Sequence, residues 1–204
     1  MTAGEALQRL RDGNARFVGG VSCRRVVDRD WLANVAFGQN PFATILGCSD
    51  SRVPPEIVFD QGLGELFIVR VAGNVVGTEI LGSLGYALEH LHTPLFVVLG
   101  HERCGAVQAA LQTKFHGLRE QRNIGELVDA IVPALKEINP SEPEELQWQR
   151  AVEANVRWAV RQLAATPAGR AGLEDGRVQL VGAVYEITTG CVRFLDSAHP
   201  TKVR

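Results

Sequence analysis

The chain has 204 residues, a length that favours one α/β domain around a single core over two separate domains. It is 46% hydrophobic and 22% charged with a formal net charge of −2, the balance of an ordinary globular protein. The most basic stretch is the pair Arg24 and Arg25, so nothing points to a nucleic-acid or anionic-membrane partner, both of which are held by clustered Lys and Arg.

The N-terminal segment MTAGEALQRLRDGNARFV sets charges among Leu7, Leu10 and Phe17, which predicts an amphipathic helix over 3–17. It lacks the apolar centre of a secretory signal, and no run approaches the roughly 18–20 apolar residues of a membrane span. The expectation is a cytoplasmic protein whose four cysteines are reduced and open to metals. Residues 19–40 are irregular and polar with a short helical candidate at 30–37. This segment reads either as an arm crossing to a partner subunit or as a surface loop.

Three short apolar runs follow, FATILG (42–47), ELFIVRV (65–71) and LFVVLG (95–100), which read as buried parallel strands. Helical stretches alternate with them at 54–60, at 79–92 with Leu81, Leu84, Leu88 and Leu91 on one face, and at 104–115. Further helices are predicted at 124–136 and 144–164, the second with Val152, Val156, Ala159, Val160 and Leu163 along one side. Segments 178–185 and 191–195 read as one more strand and an antiparallel edge partner around Thr188–Gly190. The fold class is therefore α/β: a single domain over 1–204, with a mostly parallel sheet flanked by helices and residues 1–40 as helix and arm.

Cys48 follows the first strand directly, His101 follows the third, and Cys104 lies three residues beyond His101. In an open parallel sheet, loops leaving the carboxyl ends of the strands converge on one crevice. If the first and third strands are neighbours, two thiolates and an imidazole meet there, a donor set suited to Zn²⁺ with a fourth position left for water. Two thiolates give the metal more negative charge than three imidazoles, so activity is expected to favour alkaline pH. The competing reading is that single cysteines are inert apolar residues, as is assigned here to Cys23 and Cys191. His90, His92, His116 and His199 read as surface or helix-face residues. A bare H-x-x-C leaves the choice open.

The segment GCSDSRVPPEIVFDQGLGELFIVRVAGNVV (47–76), followed by VVLGHERCGAV (97–107), resembles the β-carbonic anhydrase family. C-x-D-x-R is matched by Cys48, Asp50 and Arg52, and H-x-x-C by His101 and Cys104. Weaker similarity extends from EALQRLRDGNARFV to GAVYEITTGCVRF, nearly the whole chain. The resemblance implies reversible hydration of CO₂ to bicarbonate by a zinc-bound hydroxide, with one Zn²⁺ per subunit on Cys48, His101 and Cys104. Asp50 and Arg52 would form an ion-paired dyad, Arg52 keeping Asp50 ionised and aimed at the nucleophile.

The same resemblance carries Gln39, Phe67, Ala72 and Tyr86 to the substrate pocket. Gln39, Phe67 and Tyr86 are expected to serve the neighbouring subunit's zinc, which makes a homodimer the minimal catalytic unit and an even-numbered assembly, a dimer or a tetramer, its form. Phe67 reads equally as a strand core residue. Members with a bicarbonate-regulated closed state carry Trp three residues before the first cysteine, where this chain has Ile45; with Gln39 present, this favours the plant-like, open-site subgroup. Gly85 stands where many members have Glu, which bears on subunit contacts more than on chemistry. Two alternatives remain at this stage, a carbon disulfide hydrolase built on the same scaffold and a non-catalytic zinc-binding subunit.

Overall fold

The computed structural model describes residues 1–23 and 27–195; Arg24, Arg25 and His199 lie outside the described residues. Its centre is a five-stranded sheet in the order β2-β1-β3-β4-β5. The strands are β1 (Ala43–Gly47), β2 (Leu66–Arg70), β3 (Leu95–His101), β4 (Gln179–Tyr185) and β5 (Val192–Phe194). The first four run parallel, and β5 closes the edge antiparallel to β4. Every residue of β1 and β3 is buried, as the unbroken apolar runs require for strands covered on both faces.

Helices cover the two faces unequally. One face packs α1 (Ala3–Val18) and the single-turn α3 (Pro55–Val58) around Leu10, Ile45, Phe59, Val97 and Leu99. The other carries α4 (Thr78–Glu89), α5 (Gly105–His116), α6 (Arg122–Ile131), α7 (Glu144–Ala165) and α8 (Pro167–Glu174). On α7 the predicted apolar side, Val152 through Leu163, is the buried one. A short α2 (Arg29–Val35) lies between α1 and β1 and buries none of its residues.

α1 begins with a capping box between Thr2 and Glu5, which satisfies amides that the first turn leaves free. Farther along α1 the buried Asn14 donates to the carbonyls of Val58 and Gly190 and accepts from the Val192 amide. One side chain thus ties α1 to α3 and to the β4–β5 turn.

The differences from the sequence reading have local causes. The helix expected over 54–60 is cut to Pro55–Val58, since two prolines open it and Asp60 leaves it in the left-handed region (φ 49°). Pro133 lacks the amide that α6 would need to continue, so the chain tightens into a 3₁₀ turn, Val132–Leu135. The helix over 79–92 ends at Glu89, with His92 at φ 53°. α8 was not expected; Thr166 caps it by accepting from the Gly169 amide at 3.0 Å, and Pro167 starts it. Cys23 and Cys191 are not the buried apolar residues they were read as. Cys23 is exposed in the loop after α1, where its backbone amide donates to Asp60, and Cys191 is half-buried before β5. His90, His92 and His116 are exposed, as expected.

Candidate metal centre and active site

β1 and β3 are adjacent and parallel, with Gly47 paired to Leu99, so the residues leaving their carboxyl ends emerge side by side. Cys48 follows β1, His101 ends β3, and Arg103 turns the chain in the left-handed region (φ 52°) so that Cys104 comes back beside His101. The ligand atoms of Cys48, His101 and Cys104 all lie within 4.8 Å of one another, and all three residues are buried.

Three features fit this cluster to a thiophilic cation. The sulfurs of Cys48 and Cys104 are 4.0 Å apart, close to the ~3.8 Å edge of a tetrahedron with zinc–sulfur bonds of about 2.3 Å. His101 Nδ1 donates to the Glu102 carbonyl at 2.8 Å, which leaves the Nε2 lone pair facing the sulfurs. That Nε2 is buried and has no hydrogen-bond partner in the protein, a costly state for an imidazole unless an ion completes it.

The surroundings already favour ionised sulfur. The neighbouring Cys104 thiol, then His101 and the Asp50 and Gly73 amides, pull the Cys48 thiol well below its usual range against the opposing effect of burial. Cys104 is pushed up because it shares this pocket with the Cys48 thiolate, while the Val107 and Ala106 amides at the start of α5 favour its ionised form.

Asp50 stands at the mouth of the cluster, Oδ2 lying 3.8 Å from His101 Nε2. Arg52 grips both of its oxygens, Nε to Oδ1 at 2.9 Å and Nη2 to Oδ2 at 2.7 Å, and the Arg52 amide adds a third bond at 3.0 Å. This fork holds the Asp50 carboxyl well below the usual carboxylate range. The loop is itself pinned by Arg70, at the end of β2, which donates to the Cys48 carbonyl at 2.9 Å and to the Asp50 carbonyl at 2.6 Å.

Of the four expected pocket residues, Ala72 lies at this chain's own cluster: it begins the 3₁₀ turn Ala72–Asn74, whose Gly73 amide donates to Cys48 Sγ at 3.3 Å. Phe67 is in register with Thr44, four positions before Cys48, or ~13 Å down the strand at about 3.3 Å per residue. Its ring lies 6.2 Å from that of Tyr86, and the two form a patch away from the sulfurs. Gln39 is exposed in the segment before β1. The motifs did not reveal Arg70, Gly73, Trp148 or Asn155. Their contacts to the ligand loops run through backbone groups or across long sequence separations, and only the lone polar Asn155 within the apolar side of α7 marked one of them.

A carbonic anhydrase family model matches residues 43–192, which include both motifs. The chain belongs to the β-class carbonic anhydrases. It is 37% identical to a carbonic anhydrase of Mycolicibacterium smegmatis over 192 residues, covering 93% of this chain and 91% of that protein. It is 39% identical to carbonic anhydrase 2 of Mycobacterium tuberculosis over 188 residues, covering 91% and 89%. Among solved structures, the β-carbonic anhydrase CcaA superposes with a TM-score of 0.75 at 28% identity, covering 93% of this chain and 95% of that one. A Coccomyxa β-carbonic anhydrase gives the same TM-score at 27% identity, covering 93% and 86%. The activity of this carbonic anhydrase is the reversible hydration of CO₂, and its metal is zinc. The carbon disulfide hydrolase and the non-catalytic subunit are not favoured, since these relatives are named carbonic anhydrases.

Proposed function

We propose that this chain hydrates CO₂ with Cys48, His101 and Cys104 as the three protein ligands of zinc, Asp50 as the residue that orients the nucleophile, and Arg52 as the residue that fixes Asp50. The observation that carries this reading is the buried S,N,S cluster with the Arg52-gripped Asp50 carboxylate 3.8 Å from the imidazole ligand atom. Zinc held there supplies the Lewis-acid charge that makes a water-derived nucleophile available near neutral pH. Asp50 remains a pure acceptor, since Arg52 keeps it ionised, and so it receives a hydrogen bond from the nucleophile and directs the lone pair at the CO₂ carbon. Arg52 occupies both carboxylate oxygens, which holds Asp50 outside the ligand set and supports the open-site subgroup, together with Ile45 and Gln39.

The working unit is a dimer or a larger even-numbered assembly. Phe67 and Tyr86 are remote from their own chain's sulfurs, and Tyr86 is 48% exposed, so a second copy supplies the apolar side of each CO₂ pocket, with Gln39 as its polar member. Phe37 is 94% exposed and Leu32 is 48% exposed in and after α2, which buries none of its residues, and this supports the arm that follows α1, within residues 1–40, as the segment that reaches a second copy. Among the described residues no helix is long and apolar enough to cross a membrane. A reducing cytoplasm is the compartment proposed, because the site needs Cys48 and Cys104 as free thiols.

The test is to assay zinc-loaded protein with CO₂ and CS₂ side by side. Rapid hydration of CO₂ with CS₂ left intact is the expected result. Turnover of CS₂ alone, or firmly bound zinc with neither reaction, would overturn the reading.

A further inference from the structure

The hydrogen bonds behind the two cysteines lead back to one helix. On α7, Trp148 Nε1 donates to the Cys104 carbonyl at 3.2 Å. Seven residues later, about two turns and on the same side, Asn155 Nδ2 donates to the Gly73 carbonyl at 2.8 Å. Gly73 is the residue whose amide donates to Cys48 Sγ. Val156 completes the contact: a Cβ on Gly100, the residue before His101, would stand only 2.5 Å from its Cγ2. A single helix thus touches the segments carrying all three ligands.

Asn155 is 2% exposed and sits in the apolar side of α7 beside Val152, Val156 and Ala159. An apolar residue there would serve packing better, because a buried amide is tolerated only for the bonds it makes. Its bond falls on a residue of the ligand shell whose amide reaches Cys48 Sγ. Gly73 has φ 67°, and a Cβ there would come within 2.7 Å of Ile131 Cδ1, so the position stays glycine and stays free to rotate unless something holds it. The Gly73 amide and carbonyl belong to adjacent peptide planes joined at its Cα. A hold on the carbonyl fixes one of those two planes and so narrows the directions the amide can take.

We propose that α7 is the positioning helix of the metal centre, with Asn155 acting through Gly73 on the Cys48 sulfur and Trp148 acting on Cys104. The proposal rests on the ligand set given above and goes beyond it. Outer hydrogen bonds of this kind orient a ligand and tune its donation, and their loss costs about 10- to 100-fold in metal affinity.

The experiment compares Asn155→Leu, which keeps the branching and heavy-atom count and removes the donor, with Val160→Ala, a change on the same helix that touches neither cysteine segment. Two quantities are read: the rate of zinc loss to excess chelator, and the thiolate-to-metal charge-transfer band of the cobalt-substituted protein. Asn155→Leu is expected to lose zinc about 10- to 100-fold faster and to shift the band, with Val160→Ala changing neither at a comparable fall in melting temperature. Trp148→Phe, at a half-buried position, removes the second donor with little lost packing and is read in the same way should Asn155→Leu not fold. Equal behaviour of the donor and control variants would overturn the positioning role alone. A cobalt protein without any thiolate band would overturn the ligand set and the positioning role together.

Discussion

Arg52 reaches back two residues to hold both oxygens of Asp50, and this short-range pair keeps the carboxylate ionised and in place. A carboxyl whose folded pKa lies below its unfolded one adds stability that is fully present above the unfolded value and is lost as pH falls through the folded one. For Asp50 that loss lies on the strongly acid side of the ordinary carboxylate range, so its protonation contributes no step to activity near neutral pH. Arg52→Ala removes the fork and returns Asp50 toward ordinary behaviour. CO₂ hydration is expected to fall about 100-fold for a misaligned acceptor, across the whole of the neutral to alkaline range. An Arg52→Ala variant as fast as the native enzyme would show that Asp50 owes nothing to Arg52. The motifs made this pair legible in the sequence, because each contact lies within two residues. Arg70 and Gly73 were illegible for the opposite reason: they act on backbone or sulfur atoms more than 20 positions away, and no spacing rule encodes that.

At the level of elements, the close approach of α7 to β3 places the sulfur cluster. Gly100 lets Val156 rest directly on the strand that ends in His101. Gly100→Ala is expected to cost about 1–3 kcal/mol through overpacking, measured by chemical denaturation, and to weaken zinc retention. Val156→Ala should recover part of that loss in the double variant, since the clash is with its Cγ2. Additive losses would place the strain elsewhere. The sequence announced β1, β3 and α7 clearly, their apolar runs and stripes being long enough to carry a period. It said little of α8, where PAGRAGLE offers small residues in place of an apolar stripe and the only strong cue is the Thr166–Pro167 start. Cys23 was misread because cysteine is commonly buried, whereas here it is exposed in the loop after α1.

The whole molecule has its metal ligands on one chain and its aromatic patch far from them. If a second copy brings Phe67 and Tyr86 to each zinc, assembly and activity fail together. Phe37→Asp with Leu32→Asp is expected to shift the protein to monomer in sedimentation experiments and to abolish most CO₂ hydration, with zinc content unchanged. A fully active monomer would refute the shared pocket. The adjacency of β1 and β3 was a condition that the sequence left open, while the mostly parallel sheet itself was implicit in the alternation of strands and helices. The exposed face of α2 was not, since the sequence allowed a loop or an arm there and the structure shows a helix without buried residues.

The most direct test of the account is stopped-flow CO₂ hydration on zinc-replete protein across about pH 7 to 9, beside Asp50→Ala with its zinc content verified. Fast turnover that rises with pH and collapses in the variant is the predicted result. Zinc-loaded protein that leaves CO₂ untouched throughout, or an Asp50→Ala variant as fast as the native enzyme, would contradict it.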